Sequence, residues 1–297
     1  MINNLFISNQ AYLLDAIVGL KNIPSNSVDI VIADPPYNVG QNFGNNFDNL
    51  ALDDYISWCN EWIAEALRVL KDTGTLYIYS SPEVSPYIFT AIETPNKRNL
   101  VWFYTNKNSP RNKFWQRSHE TIIVIWKNDK RVFNTDLVRE EYSQAFLKNA
   151  AGKKRKDTDG RFSKKGRTTL YTAHKQGALP RDVIRIPALA GGAGRAERFF
   201  YCKNCNDIFA SMEKKNHDKH EIIIHPTQKP KALSEKLLTA SKPPEDGVVV
   251  VPFVGTGVEL YVAKTLGMIG YGFDINIDYV RMANILIGRG YPQNLKT

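Results

Sequence analysis

An α/β fold with a parallel sheet covered by helices is predicted by three observations. Short apolar runs alternate with longer amphipathic segments, one long stretch has helical periodicity, and a glycine loop lies between an apolar run and a helix. Strands are expected at residues 4–8, 28–33, 74–79, 100–104 and 121–126. Between the second and third, Tyr55, Ile56, Trp58, Cys59, Trp62, Ile63, Ala66, Leu67 and Leu70 recur at three- and four-residue spacing, so a helix over 53–70 must bury one face. From 127 to 220 the alternation gives way to polar, basic, irregular sequence, with Gly191-Gly192-Ala193-Gly194 expected as a flexible turn or hinge. The rhythm resumes with a helix at 231–241, an apolar strand at 248–251, a helix at 258–266, a strand at 268–273 and a helix at 276–287. Two parts, residues 1–130 and 221–297, thus flank an insert at 131–220.

A chain of 297 residues with 43% hydrophobic content can bury a substantial core. It contains no apolar run of membrane-spanning length, and Met1-Ile2-Asn3-Asn4-Leu5 lacks the layout of a signal peptide, so a soluble cytoplasmic protein with no membrane partner is expected. Three cysteines, Cys59, Cys202 and Cys205, are too few and too unevenly placed for a disulfide framework. The net charge of +9 is concentrated. Between Ala151 and Lys175 nine basic residues stand against Asp157 and Asp159, a local +7 that points to an anionic partner.

Two motifs carry chemistry. The first, Asp34-Pro35-Pro36-Tyr37, ends the second expected strand. Consecutive prolines fix φ and stop helical continuation, so the chain leaves the strand as a rigid loop at the end of an open sheet where ligands bind. Asp-Pro-Pro-Tyr is also an ordinary turn composition. As a site it offers a carboxylate, proline carbonyls and an aromatic ring, the groups needed to methylate an aromatic amine. The nitrogen lone pair is delocalised, so acceptors for the NH2 protons and a stacking face must hold it in line with a methyl donor. Asp34 and a proline carbonyl are the expected acceptors and Tyr37 the stacking face, with its hydroxyl dispensable; a base within a duplex must be flipped out to reach them. The second motif, Pro252-Phe253-Val254-Gly255-Thr256-Gly257, follows the apolar strand and opens a helix, and Asp274 ends the next strand 17 residues on, where an acid can bind ribose hydroxyls. The full three-glycine dinucleotide fingerprint is missing, so a nucleoside ligand without a pyrophosphate fits better.

Together with His225-Pro226-Thr227-Gln228-Lys229-Pro230 and Gly270-Tyr271-Gly272-Phe273-Asp274-Ile275-Asn276, these motifs resemble the permuted β class of DNA amino-methyltransferases, the N6-adenine/N4-cytosine family. Fainter matches are Ser118-His119-Glu120-Thr121 and Arg198-Phe199-Phe200-Tyr201. The resemblance implies a Rossmann-like S-adenosylmethionine-dependent methyltransferase sheet, circularly permuted, with the catalytic half first, an inserted target-recognition region and the cofactor-binding half last. It implies catalytic roles for Asp34, Pro35, Pro36 and Tyr37, and cofactor contacts from Asp34, Pro252, Phe253, Gly255, Thr256, Gly257 and Asp274, with Lys229 closing over the methionine end. Asp15 falls where the family often has an acidic residue, although a lone helical Asp also reads as solvated. Val251 stands where many members have an aspartate before Pro-Phe. The resemblance further implies double-stranded DNA as partner, a homodimer, and a cognate restriction endonuclease.

Within the insert, Lys153, Lys154, Arg155, Lys156, Lys164, Lys165 and Arg167 read either as a solvated loop or, in a recognition region, as phosphate contacts that position DNA without reading bases. Cys202-x2-Cys205 followed by His217-x2-His220 invites a zinc reading, but the gap between histidines is shorter than the usual three to five, and no metal is expected. Trp58, Trp62, Trp102 and Trp126 read as core, whereas Trp115, near Arg111, Lys113 and Arg117, is a candidate DNA contact. None of the cysteines follows a proline, which disfavours methylation at cytosine C5. Adenine N6 is the favoured target, because Ser-Pro-Pro-Tyr is commoner in cytosine-N4 enzymes; that target and a non-catalytic DNA-binding subunit are the alternatives.

Overall fold

The computed structural model describes residues 2, 5–41, 48–106, 113–156, 168–293 and 295. They form two compact units, one made of Met1–Phe133 with Asp182–Thr297 and the other of Asn134–Arg181.

In chain order the first unit contains β1 (Gln10–Leu13), α1 (Ala16–Lys21), β2 (Val28–Ala33), α2 (Leu52–Val69), β3 (Leu70–Ser80), α3 (Ser85–Ala91), β4 (Lys97–Phe103) and β5 (His119–Trp126). The second unit contains a short helix, α4 (Gln144–Asn149), and a hairpin of β6 (Lys154–Lys156) with β7 (Thr168–Leu170). The first unit continues with β8 (Val183–Arg185), α5 (Gly191–Glu197), β9 (Phe199–Cys202), β10 (Asp207–Ala210), β11 (Ile222–Ile223), α6 (Lys231–Ser241), β12 (Val248–Val251), α7 (Val258–Thr265), β13 (Ile269–Asp274) and α8 (Ile277–Arg289). Eight strands make one sheet in the order β1-β13-β12-β2-β3-β5-β4-β8, parallel from β1 to β3 and antiparallel around β5. The helix-covered α/β sheet is the one expected from the alternation, except that the expected parallel order is broken at β5, which runs antiparallel to both β3 and β4.

The pleat sends alternate residues of each strand into two cores, one on each face. Ile30, Ile32, Val249 and Val251 join Leu233 and Leu237 of α6, Leu260 of α7 and Leu286 of α8 on one face. Val31, Ala33 and Val250 join Leu20 of α1, Trp62 and Ala66 of α2 and Ile88 of α3 on the other. The face of α2 that becomes buried is therefore the one marked by its spacing.

Three expectations change. The first strand is β1 rather than 4–8: Leu5 and Ile7 are exposed, Asn9 turns the chain with φ of 58°, and Ala11 is the residue buried beside β13. Residue 4 lies outside the described residues. Gly191 to Gly194 form the start of α5 rather than a hinge, and a Cβ on Gly194 would stand 2.9 Å from the Leu189 carbonyl oxygen, so close backbone approach explains that glycine. The separate unit is also shorter than the 131–220 insert, because β8 adds to the main sheet beside β4 and β9 carries β10 and β11 in a small antiparallel sheet of the first unit. Among the described residues no helix is long and apolar enough to cross a membrane.

Candidate active site

Strands β2, β12 and β13 lie side by side and parallel, so the loops that follow Ala33, Val251 and Asp274 open at the same edge of the sheet. They line a cleft of about 490 Å³, a size suited to a small-molecule ligand.

Asp34 is the first residue beyond β2. Its Oδ1 accepts a hydrogen bond from the Tyr37 hydroxyl at 3.0 Å, and its Oδ2 accepts one from Lys229 Nζ at 2.5 Å. The Tyr37 hydroxyl also lies 3.0 Å from Glu120 Oε2, and its single proton can serve one carboxylate at a time. Burial pushes the Asp34 carboxyl above the ordinary carboxylate range, and the Lys229 ammonium pulls it part of the way back. Burial works to lower the Lys229 pKa, but the carboxylates of Asp34 and Glu120 hold it above the usual lysine value. Burial, followed by the charges of Asp34 and Glu120, drives the Tyr37 hydroxyl well above its ordinary pKa, so at neutral pH it is protonated. The hydroxyl thus anchors the carboxylate, a contact that the reading of Tyr37 as a stacking face did not include.

Across the cleft, Gly257 caps α7 with φ of 82°, and a Cβ there would lie 2.6 Å from Ala283 Cβ. Gly255, with φ of 48°, donates its N–H to Asp274 Oδ2 at 2.9 Å, while Asn276 N–H donates to Asp274 Oδ1 at 2.9 Å. These two bonds orient the carboxylate, and each oxygen retains acceptor capacity for a diol. Burial raises the Asp274 pKa and the backbone N–H groups oppose the rise. Phe253 meets Trp58 and Trp62 edge-on, with ring centroids 5.6 and 5.3 Å away. A close backbone loop, an aromatic ring and an oriented carboxylate suit a nucleoside.

Asp34, Pro35, Pro36, Tyr37 and Lys229 thus share one cleft with Pro252, Phe253, Gly255, Thr256 and Asp274, whereas Gly257 supports the loop without lining it. Asp15 also lines the cleft while capping α1, accepting from the N–H groups of Ile17 and Val18. Trp62 is core as expected, but Trp58 reaches the cleft. Trp115 is 85% exposed. Lys153, Lys154, Arg155 and Lys156 are exposed residues of the second unit, and Lys164, Lys165, Arg167 and Arg111 lie outside the described residues.

Several cleft residues were not picked out from the sequence. Tyr55 donates its hydroxyl to the Pro36 carbonyl at 2.6 Å, and Asp48 accepts from the backbone N–H groups of Asn38 and Val39. Glu259 is buried beside Ser234, and burial followed by the charge of Asp34 raises its pKa to about 7. Burial and the nearby cations lower His225 to about 3, so its imidazole is neutral. His225 and Glu120 did stand in sequence motifs, His225-Pro226-Thr227-Gln228-Lys229-Pro230 and Ser118-His119-Glu120-Thr121, whereas nothing in the sequence marked Tyr55, Asp48 or Glu259 as cleft residues.

A profile of the N6/N4 DNA methylases matches residues 28–285, most of the chain. The chain belongs to that family. This methylase is 31% identical over 274 residues to the type II methyltransferase M.HpaI of Haemophilus parainfluenzae, covering 91% of this chain and 71% of that one. It is 32% identical over 276 residues to the DNA adenine methyltransferase YhdJ of Escherichia coli K12, covering 90% and 79%. Its fold is that of solved DNA methyltransferases. The cytosine-N4-specific PvuII enzyme aligns with a TM-score of 0.61 at 14% identity over 94% of this chain and 86% of that one. The M1.HpyAVI complex with S-adenosylmethionine aligns at 0.52 and 20% identity over 92% and 96%. The methylase acts on DNA as a methyltransferase.

Proposed function

We propose that the methylase transfers a methyl group from S-adenosylmethionine to adenine N6 of a base flipped out of duplex DNA at a specific sequence. The observation that carries this reading is the placement of Asp34, already oriented by Tyr37 and Lys229, across one cleft from Asp274 and the glycine loop. The aspartate at the head of the Pro-Pro-Tyr motif and the similarity to an adenine methyltransferase favour adenine over cytosine N4.

S-adenosylmethionine, when bound, supplies an electrophilic methyl on a sulfonium. Asp274 would accept the ribose hydroxyls, Phe253 would cover the adenine face, and the backbone at Gly255 would allow close approach. Tyr37 stacks on the flipped base, and Asp34 accepts a hydrogen bond from its exocyclic NH2, with a proline carbonyl as second acceptor, that of Pro35 being free of the Tyr55 hydroxyl that Pro36 already receives. These bonds let the nitrogen pyramidalise, so its lone pair forms the N–C bond while the S–C pair returns to sulfur. The amine then loses one proton, for which the cleft carboxylates are the acceptors. Lys229 keeps Asp34 charged until the amine engages it.

Methyl-labelled S-adenosylmethionine incubated with purified protein and sequence-diverse duplex DNA tests the reading. Label in N6-methyladenine after nucleoside chromatography is the expected result; label confined to N4-methylcytosine would reassign the target, and no transfer would leave a DNA-binding subunit. Asp274→Ala is expected to weaken S-adenosylmethionine binding about tenfold or more, through loss of a charge-assisted pair of hydrogen bonds worth roughly 1.5–3 kcal/mol. Calorimetric titration measures this, and an unchanged dissociation constant would remove Asp274 from the cofactor site.

The second unit is proposed to hold DNA through phosphate contacts. Replacing Lys153, Lys154, Arg155 and Lys156 by alanine should weaken binding to all sequences and flatten its logarithmic salt dependence by about 0.9 for each phosphate left without its cation. An unaltered slope in anisotropy titrations would make the run a solvated surface.

A further inference from the structure

We propose that Cys202, Cys205, His217 and His220 form a structural zinc site that staples the small sheet behind the His225–Pro230 segment. The four ligand atoms lie within 4.8 Å of one another. Cys202 Sγ is 3.3 Å from His220 Nδ1, and Cys205 Sγ is 3.4 Å from His220 Nδ1 and 3.7 Å from His217 Nδ1. With zinc–sulfur bonds of about 2.3 Å and zinc–nitrogen bonds of about 2.0–2.1 Å, the sulfur-to-nitrogen edge of a tetrahedron is about 3.6 Å, so these distances match its edges. Two thiolates and two imidazoles select zinc among the common divalent ions, and four protein ligands close the site to catalysis.

The local chain is shaped for this. Cys202 ends β9, and the turn to β10 brings Cys205 back, with Cys205 N–H directed at Cys202 Sγ at 3.4 Å and Asn206 at φ of 50°. His217 ends a 3-10 turn, Ser211–His217, and His220 follows in the turn before β11. The short gap between histidines counts against zinc only if both must stand on one helix; here His217 ends the 3-10 segment and His220 lies in the irregular chain beyond it. The His217 ring stacks on Phe209 at 3.9 Å, which fixes its plane.

The small sheet needs such a staple. One face, through Phe199, Tyr201 and Ile208, joins the main core, but the other buries only Phe200, Cys202 and Phe209 with Ile222 packed against them. A cluster that small holds little structure without a cross-link. The sheet in turn supports the cleft. Arg198, just before β9, donates to the carbonyls of His225 and Pro226 at 3.0 and 3.4 Å, and Gln228 accepts from Phe199 N–H at 3.4 Å, one residue before Lys229. Lys203, inside the Cys202–Cys205 turn, bridges Glu221 and Asp278.

The test is metal analysis of the full chain, purified in reducing buffer without chelator, by inductively coupled plasma mass spectrometry. About one zinc per chain is expected, falling to about a tenth or less in Cys205→Ser and in His217→Ala, while His174→Ala, remote in sequence, retains it. Cobalt exchanged into the wild-type chain should show the intense absorption of tetrahedral thiolate-bound cobalt, and chelation should open residues 203–221 to protease before the rest of the chain. The wild-type measurement stands even if a variant fails to fold. Less than about a tenth of an equivalent in wild-type protein after incubation with zinc, full zinc in the Cys205→Ser/His217→Ala double variant, or a Cys202–Cys205 disulfide in the reduced preparation would each overturn the site.

Discussion

Asp34→Ala is expected to lower methyl transfer by about 10²–10³-fold or more while S-adenosylmethionine still binds. Removing one preorganised acceptor aimed at developing charge costs roughly that much, and here the missing group is a carboxylate in a largely buried site. A second consequence follows from the geometry. Lys229 is 4% exposed and donates to Asp34, so the alanine variant leaves a buried ammonium with a long bond to the Thr227 carbonyl at 3.5 Å, the Tyr37 and Tyr79 rings at 5.3 and 5.0 Å, and the more distant charges of Glu120 and Glu259, but no paired carboxylate. Breaking a buried pair in this way costs about 3–5 kcal/mol of stability. Asp34→Asn, which keeps the shape and one acceptor oxygen, should be more stable than the alanine variant yet still transfer slowly, because the charge is gone. Single-turnover transfer rates, thermal unfolding and cofactor titration on both variants separate chemistry from folding. Wild-type transfer by the asparagine variant would show that the Asp34 charge is unnecessary.

Substitutions at Tyr37 should rank wild type, then phenylalanine, then alanine. Phenylalanine keeps the ring but removes a hydrogen bond to a charged acceptor, worth roughly 1.5–3 kcal/mol, so transfer should fall about 10- to 10²-fold. Alanine removes that bond and also a stacking face worth roughly 1–3 kcal/mol per base, a further factor of about 5 to 10². Equal damage by both would mean the hydroxyl alone matters, and an undamaged phenylalanine variant would mean the anchor bond contributes nothing. The hydroxyl is not a base in either case, since burial and two neighbouring carboxylates keep it protonated.

The sheet and its helices were legible because their signals are local. The apolar runs at β2 and β12 and the spacing along α2 follow from burial on two faces or one, and the structure places all three at nearly the expected residues. The edge strand was misplaced because β1 buries only Ala11, so its pattern is weaker than that of the exposed Leu5 and Ile7 before it. Asp34, Lys229 and Asp274 sit in dense motifs, but the pairing of Asp34 with Lys229, 195 residues apart, is made by the fold and no window of sequence contains it. Asp48 and Tyr55 escaped for the same reason, since each acts by supporting a neighbour brought close only by folding, and Glu120, though within a sequence motif, gained a role only through its contact with Tyr37. The cysteine and histidine quartet was visible as a pattern, but its convergence depends on His217 ending a 3-10 helix and His220 lying in the chain beyond it, which spacing alone does not reveal.

The central claim, that Asp34 directs methylation to an exocyclic adenine amine in DNA, is tested most directly by modified-base mapping of DNA from methylation-deficient cells expressing either the wild-type chain or Asp34→Ala. N6-methyladenine at one recurring sequence is expected with the wild-type chain and none with the variant. N4-methylcytosine alone, unmodified DNA, or the same N6-methyladenine pattern with Asp34→Ala would contradict it.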